Sequence, residues 1–112
     1  SDSAHGWSEE PWRAGAFTYH LPENREIQRK KIGSGTKPAR AAPYENADVL
    51  DNAYPDGRLA EHAVETMGRL AKREQPFFLA VGFFKPHLPF NAPRKYWNLY
   101  PEDTIKLPDN YR

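Results

Sequence analysis

Lys85 and His87 stand two residues apart in Lys85-Pro86-His87-Leu88-Pro89. Lysine is a fixed cation, and histidine exchanges a proton near neutral pH. Such a pair could carry chemistry, one residue through its charge and the other through proton exchange. Pro86 and Pro89 limit how far His87 can wander, as a preorganised site requires. The residues alone leave a second reading open, in which His87 is bonded to a nearby carbonyl in a tight loop.

The other polar candidates carry less. His62 falls on the polar side of a helical pattern with Arg58, Glu65 and Arg69, and a solvated ring is expected. His5 and His20 lack metal-ligand spacing, so surface roles are expected for both. Glu9-Glu10 and Glu102-Asp103 are adjacent pairs, which point apart and are usually solvated. Gly33-Ser34-Gly35 lacks the preceding strand and following helix of a phosphate-cradling loop. The chain has no cysteine, which excludes disulfides, thiolate metal sites and a cysteine nucleophile.

Two elements must position Lys85 and His87. Leu59, Ala60, Ala63, Val64, Met67, Leu70 and Ala71 recur on a 3.6-residue period. They predict an amphipathic helix over residues 58–73, capped by Asp56, with Leu59, Ala63, Val64, Met67 and Leu70 facing inward. Pro76 ends it. The apolar run Phe77-Phe78-Leu79-Ala80-Val81-Gly82-Phe83-Phe84 then predicts a strand over residues 77–83, buried on both faces. Such strands belong to parallel sheets covered by helices. Its carboxyl end, where open α/β sheets bind ligands, carries Lys85 and His87. The partner strands are not recognisable in this chain. Asn91 is placed to cap a short helix over residues 93–99, which Pro101 stops. The tail, residues 102–112, reads as extended.

Residues 1–55 show no sustained period. Ile32-Gly33-Ser34-Gly35-Thr36-Lys37-Pro38 reads as a flexible loop, and Pro43-Tyr44-Glu45 and Tyr54-Pro55-Asp56 as extended or turn segments. So long an irregular stretch points to a segment that wraps over something larger. The organisation expected is therefore an irregular wrapping segment over residues 1–55, then helix, strand, loop and short helix over residues 56–112.

Composition bounds the function. The 112 residues carry a net charge of +1, which gives no general attraction to nucleic acid or anionic lipid. The basic cluster Arg29-Lys30-Lys31 reads as a solvated patch. Mean hydropathy is −0.89, and no apolar run approaches the roughly 20 residues of a membrane helix. Ser1 to Glu10 lack the basic and apolar regions of a signal peptide.

The string Gln75-Pro76-Phe77-Phe78-Leu79-Ala80-Val81-Gly82-Phe83-Phe84-Lys85-Pro86-His87-Leu88-Pro89-Phe90 resembles a segment of the iduronate-2-sulfatase-like sulfatases. In that family a strand of this form ends in K-P-H-x-P-F. Pro93-Arg94-Lys95-Tyr96-Trp97-Asn98-Leu99-Tyr100 and Tyr54-Pro55-Asp56-Gly57-Arg58-Leu59-Ala60 fit the same pattern. Residues 1–53 fit it more loosely, through Pro43-Tyr44-Glu45 and residues 48–51. The resemblance implies part of an α/β, alkaline-phosphatase-like sulfatase domain. It implies that His87 faces the substrate's sulfate and protonates the departing oxygen. Lys85 belongs to the same string, either contacting substrate or pairing with a carboxylate elsewhere. The family's formylglycine nucleophile arises in a C/S-x-P-x-R motif. Ser8-Glu9-Glu10-Pro11-Trp12-Arg13 displaces the proline and arginine by one residue and reads as a coincidence. The family's metal, usually calcium, is expected in the full-length enzyme but not on this chain. Asp109-Asn110 mimics one ligand pair, but it follows Leu107-Pro108 rather than an apolar strand.

The expected partners are a sulfate ester, such as a sulfated carbohydrate, and the remainder of a sulfatase polypeptide, with no nucleic acid and no membrane. The resemblance implies a secreted, periplasmic or lysosomal location. Without nucleophile or metal ligands, the chain alone is expected to be inactive. Two other readings stand beside this one. One is a phosphodiester or phosphonate hydrolase of the same superfamily, and the other is a non-catalytic binding or structural segment.

Overall fold

The apolar stripe does form a helix, and the computed structural model describes it within residues 6–15, 18–33 and 41–111. The chain runs α1 (Pro22–Gly33), β1 (Tyr44–Glu45), a 3-10 turn (Asp51–Ala53), α2 (Pro55–Leu70), β2 (Phe90–Asn91), α3 (Arg94–Trp97) and a second 3-10 turn (Glu102–Thr104). The stripe lies on α2. That helix begins and ends three residues earlier than its spacing predicts. Proline has no amide hydrogen to lose at the first helical position, so Pro55 opens the helix and Tyr54 precedes it. Asp56 therefore lies inside the first turn and is not the cap.

Only part of the stripe is covered. Leu70 is buried, and Leu59 and Ala63 are half-buried. Val64 is 64% exposed and Met67 47% exposed, against the expectation that both face inward. The strand expected over residues 77–83 does not form, and its residues are not buried: Phe78 is 79% exposed. The cause is common to both departures. A strand needs a neighbour for its amides, and a helix stripe needs a facing surface. Among the described residues no strand pairs with residues 77–83, and only part of the stripe meets a facing surface. The radius of gyration, 18.0 Å, fits this open arrangement, since a compact domain of this length has about 13 Å.

The structured centre lies elsewhere, on one parallel strand pair. Tyr44 stands opposite Phe90 and Glu45 opposite Asn91. The pairing continues as Phe90 N–H to Pro43 carbonyl (2.8 Å), Ala92 N–H to Glu45 carbonyl (3.1 Å) and Arg94 N–H to Ala47 carbonyl (2.9 Å). Glu45 is 2% exposed. A buried carboxylate is tolerated only where donors fill its lone pairs. Its Oε1 accepts from the His20 amide (2.6 Å) and the Tyr54 hydroxyl (2.8 Å). Its Oε2 accepts from the Leu21 amide (3.1 Å) and Asn24 Nδ2 (2.8 Å). The carboxylate thus covers the amino end of α1, where the helix dipole favours negative charge. Burial first, and the bond to Glu45 second, push the Tyr54 hydroxyl well above the ordinary tyrosine range, so it stays a donor.

Helix α1 corrects the irregular reading of residues 1–55. It also absorbs Ile32 and Gly33 from the expected loop, whose remaining residues lie outside those described, as does His5. Asn91 caps nothing. Its Nδ2 donates to the Thr18 carbonyl (2.6 Å), and α3 follows Pro93 without a side-chain cap. The short helix expected over residues 93–99 shrinks to Arg94–Trp97, and the tail expected as extended contains the second 3-10 turn.

Glu9 is exposed, as its place in an adjacent acidic pair suggests, and it is also ion-paired. Arg69 grips it with two bonds (2.9 and 2.5 Å), and Arg73 adds a third (3.1 Å). The Arg69 bond, more than any other cause, lowers the Glu9 pKa from 4.5 to about 2. A depressed folded-state value gives a contribution that is full above the unfolded pKa and is lost as pH falls through the folded one. The clamp should therefore hold down to about pH 4.5 and release as pH approaches 2. Carbon-detected titration of the Glu9 carboxyl should give a midpoint near 2 at low salt, drifting upward with added salt because the pair is exposed. A midpoint near 4.5 at low salt would mean that the clamp is not formed.

Candidate functional site

The loop carrying Lys85 and His87 is held at both ends. At its start, Asp56 projects from the first turn of α2 toward residues 84 and 85. Its Oδ1 accepts the Phe84 amide (2.9 Å) and its Oδ2 accepts the Lys85 amide (2.9 Å). At its end, Phe90 enters the parallel pair with β1. Between them the His87 amide donates to the Phe84 carbonyl (3.0 Å), closing a turn. The Lys85–Pro86 and Leu88–Pro89 peptide bonds are both cis.

His87 is exposed and lies against the Phe84 ring, with centroids 4.7 Å apart. Its Nδ1 is 2.5 Å from the Leu88 carbonyl oxygen. A carbonyl can only accept, so Nδ1 carries the hydrogen, and among the described residues Nε2 has no hydrogen-bond partner. The structure thus shows the second reading of this histidine, a ring bonded to a nearby carbonyl in a tight loop. The carbonyl contact sets the tautomer and leaves Nε2 to accept a proton or, once protonated, to donate one.

Lys85 lies half-buried. Burial lowers its pKa from the usual lysine value, and the nearby Asp56 charge opposes that shift. Its Nζ stands 5.0 Å from the Phe84 ring centre and 3.5 Å from the His87 carbonyl oxygen, to which it donates. A cleft of about 520 Å³ opens beside it, lined by Trp12, Thr18, Tyr54, Asp56, Phe83 and Lys85 among others. His87 is not among its lining residues, so the structure brings Lys85 and His87 into one loop but not into one cavity.

The remaining histidines separate clearly. His20 is exposed and meets Tyr54 edge-on. His62 is not fully solvated as its place in the pattern suggests. Trp12 stacks on it, with centroids 4.4 Å apart and planes 13° from parallel. The helix surface there is roofed by the N-terminal segment, which Arg58 tethers by donating to the Ala14 carbonyl (3.2 and 3.0 Å). Among the described residues no group of three or more His, Cys, Asp or Glu is placed to hold a metal ion. The calcium implied by the resemblance therefore does not fit the residues described.

Sequence reasoning missed the part Asp56 plays in the loop and the part Glu45 plays at the centre. A signal for the first was present. Pro55 prefers the first helical position, which places Asp56 inside the helix and frees its carboxylate for another partner. Glu45 gives no such local sign, because its donors come from positions 20, 21, 24 and 54.

No family model matches the chain. Curated relatives do. Over 106 residues it is 34% identical to human iduronate 2-sulfatase and 32% identical to the mouse protein of the same name, in each case over 95% of this chain and 18% of the relative. It is also 34% identical over 95 residues to a sulfatase of Formosa agariphila, covering 79% of this chain and 18% of that protein. The chain thus spans less than a fifth of the length of these relatives. It is a sulfatase-like segment, similar over nearly all of its length to the iduronate 2-sulfatases.

Proposed function

We propose that this chain is part of a longer sulfuric ester hydrolase, in which His87 faces the sulfate group of the substrate. The observation that supports the reading most is the state of the His87 ring. Its Nδ1 is bonded to the Leu88 carbonyl, so its Nε2 can act, on a loop anchored by Asp56 and by β2. The similarity to three sulfatases supports sulfate ester hydrolysis as the reaction in which that ring would act. Hydrolysis breaks the bond between sulfur and the ester oxygen, and the departing oxygen gains a proton. A protonated His87 supplies that proton from Nε2 and neutralises the charge developing on the oxygen. Lys85 adds positive potential beside the ring. The nucleophile, a formylglycine in this reading, and the calcium site lie in other parts of the polypeptide.

The substrate class is sulfate esters, with sulfated carbohydrates as the first candidates. The location is secreted, periplasmic or lysosomal. No helix among the described residues is long and apolar enough to cross a membrane. The whole domain takes an alkaline-phosphatase-like fold, with which the helices and the small parallel pair are compatible.

The test compares a polypeptide extended to sulfatase length with the 112-residue chain. The extended protein should hydrolyse an aryl sulfate, and the short chain should not. Preference for a phosphodiester over the sulfate ester would overturn the reaction assignment. Turnover by the short chain, freed of contaminating enzyme, would overturn the division of labour.

A further inference from the structure

Asp56 has a position that a helix cap does not need. It sits one residue inside α2, and its two carboxylate oxygens each take one of two successive amides, Phe84 and Lys85, at 2.9 Å. Those residues lie 28 and 29 positions away in sequence. Two bonds from one rigid group, to the amides of the successive peptide units 83–84 and 84–85, fix how the chain is turned there, not merely its distance. The second of these units leads into the Lys85–Pro86 peptide, and so toward His87. Through the His87 amide to Phe84 carbonyl bond, the same short stretch also fixes where the imidazole starts.

The carboxylate itself is held still. The beginning of α2 rests on the first 3-10 turn at Gly57. A Cβ built there would lie 1.7 Å from the Asp51 carbonyl oxygen, so only glycine permits the approach. Pro55, Asp56 and Gly57 therefore act together. The proline starts the helix, the glycine seats it, and the aspartate reaches across to the loop.

We propose that Asp56 is a positioning residue for the hydrolytic reaction, acting through the orientation of His87. The proposal rests on the reading of His87 given above, and it is independent of which sulfate ester is cleaved. Asp56 touches neither substrate nor reacting atoms. Its contribution is to hold the Phe84 and Lys85 amides so that Nε2 of His87 meets the departing oxygen at the right angle.

The test is a double-mutant cycle in the sulfatase-length enzyme, with an aryl sulfate as substrate. Asp56→Ala should lower kcat by about tenfold to 100-fold with KM changed less than about twofold. Asp56→Asn, which keeps one acceptor oxygen, should restore a good part of that loss. In a His87→Ala background, Asp56→Ala should cost less than about twofold more, because the residue it positions is gone. Hydrogen exchange of a peptide covering residues 83–88 should be faster in Asp56→Ala, and intermediate in Asp56→Asn. Should the alanine variant fail to fold, the asparagine variant alone decides. Full kcat with unchanged exchange in Asp56→Asn overturns the proposal, and so does a full additive loss in the double variant. If instead His87→Ala is itself neutral, the reading of the histidine fails first, and the catalytic part of this proposal falls with it.

Discussion

Replacing His87 by alanine in the sulfatase-length enzyme should lower turnover of an aryl sulfate by roughly 100-fold or more. The size follows from the role proposed for His87. A protonated imidazole both donates a proton and neutralises an oxygen that becomes negative as the sulfur bond breaks. Loss of either contribution alone commonly costs about two orders of magnitude. His87→Gln should recover some binding, because an amide can still donate a hydrogen bond, but little of the proton transfer. His62→Ala is the control. That ring stacks on Trp12 on the surface of α2, and its loss should change turnover by less than about threefold while loosening the N-terminal segment. Equal, near-neutral effects of the His87 and His62 substitutions would return the Lys85-Pro86-His87 string to a structural role.

Gly57→Ala should cost about 3 kcal/mol or more of stability, whereas Gly68→Ala should gain roughly 0.5–1 kcal/mol. Both glycines lie in α2, and helix propensity alone favours alanine at each. Space decides the sign. The new Cβ at position 57 would meet the Asp51 carbonyl oxygen at 1.7 Å, and that atom belongs to backbone that cannot rotate away. At position 68 nothing lies within 4 Å. Relief at position 57 requires the 3-10 turn or the start of α2 to move by more than 1 Å. Such a shift also carries Asp56 away from Phe84 and Lys85, so Gly57→Ala should lower kcat in step with Asp56→Ala. Thermal midpoints of the two glycine variants, measured side by side in the sulfatase-length protein, check this. A Gly57→Ala midpoint equal to that of Gly68→Ala would show that α2 does not seat on the turn.

Helix α2 was readable because its stripe recurs for four turns and Pro76 bounds it. Its start was misread because Asp56 looks like a cap, while Pro55 had already claimed the first helical position. The apolar residues 77–84 were readable as a segment but not as a buried strand. Burial depends on neighbours, and among the described residues none pairs with that run. The same shortage leaves Val64 and Met67 exposed on a stripe that would otherwise face inward. Helix α1 was invisible for a different reason. Charged residues dominate Pro22–Gly33, and the group that covers its amino end is Glu45, 24 positions beyond Leu21. Local rules look for a cap within a few residues and cannot see one brought in by a strand. His87 could be singled out because its flanking prolines and the preceding apolar run mark a constrained loop. Which ring nitrogen meets a carbonyl, Nδ1 with that of Leu88, is visible only in the structure.

The measurement that meets the central claim most directly is a structure of the sulfatase-length enzyme with sulfate, or an inert mimic of it, in the catalytic site. His87 Nε2 should lie within about 2.7–3.2 Å of a sulfate oxygen, with Nδ1 still donating to the Leu88 carbonyl and the Phe84 and Lys85 amides still on Asp56. A sulfate bound more than about 6 Å from a His87 ring that points away from it would contradict the account, since no proton could then pass directly between them.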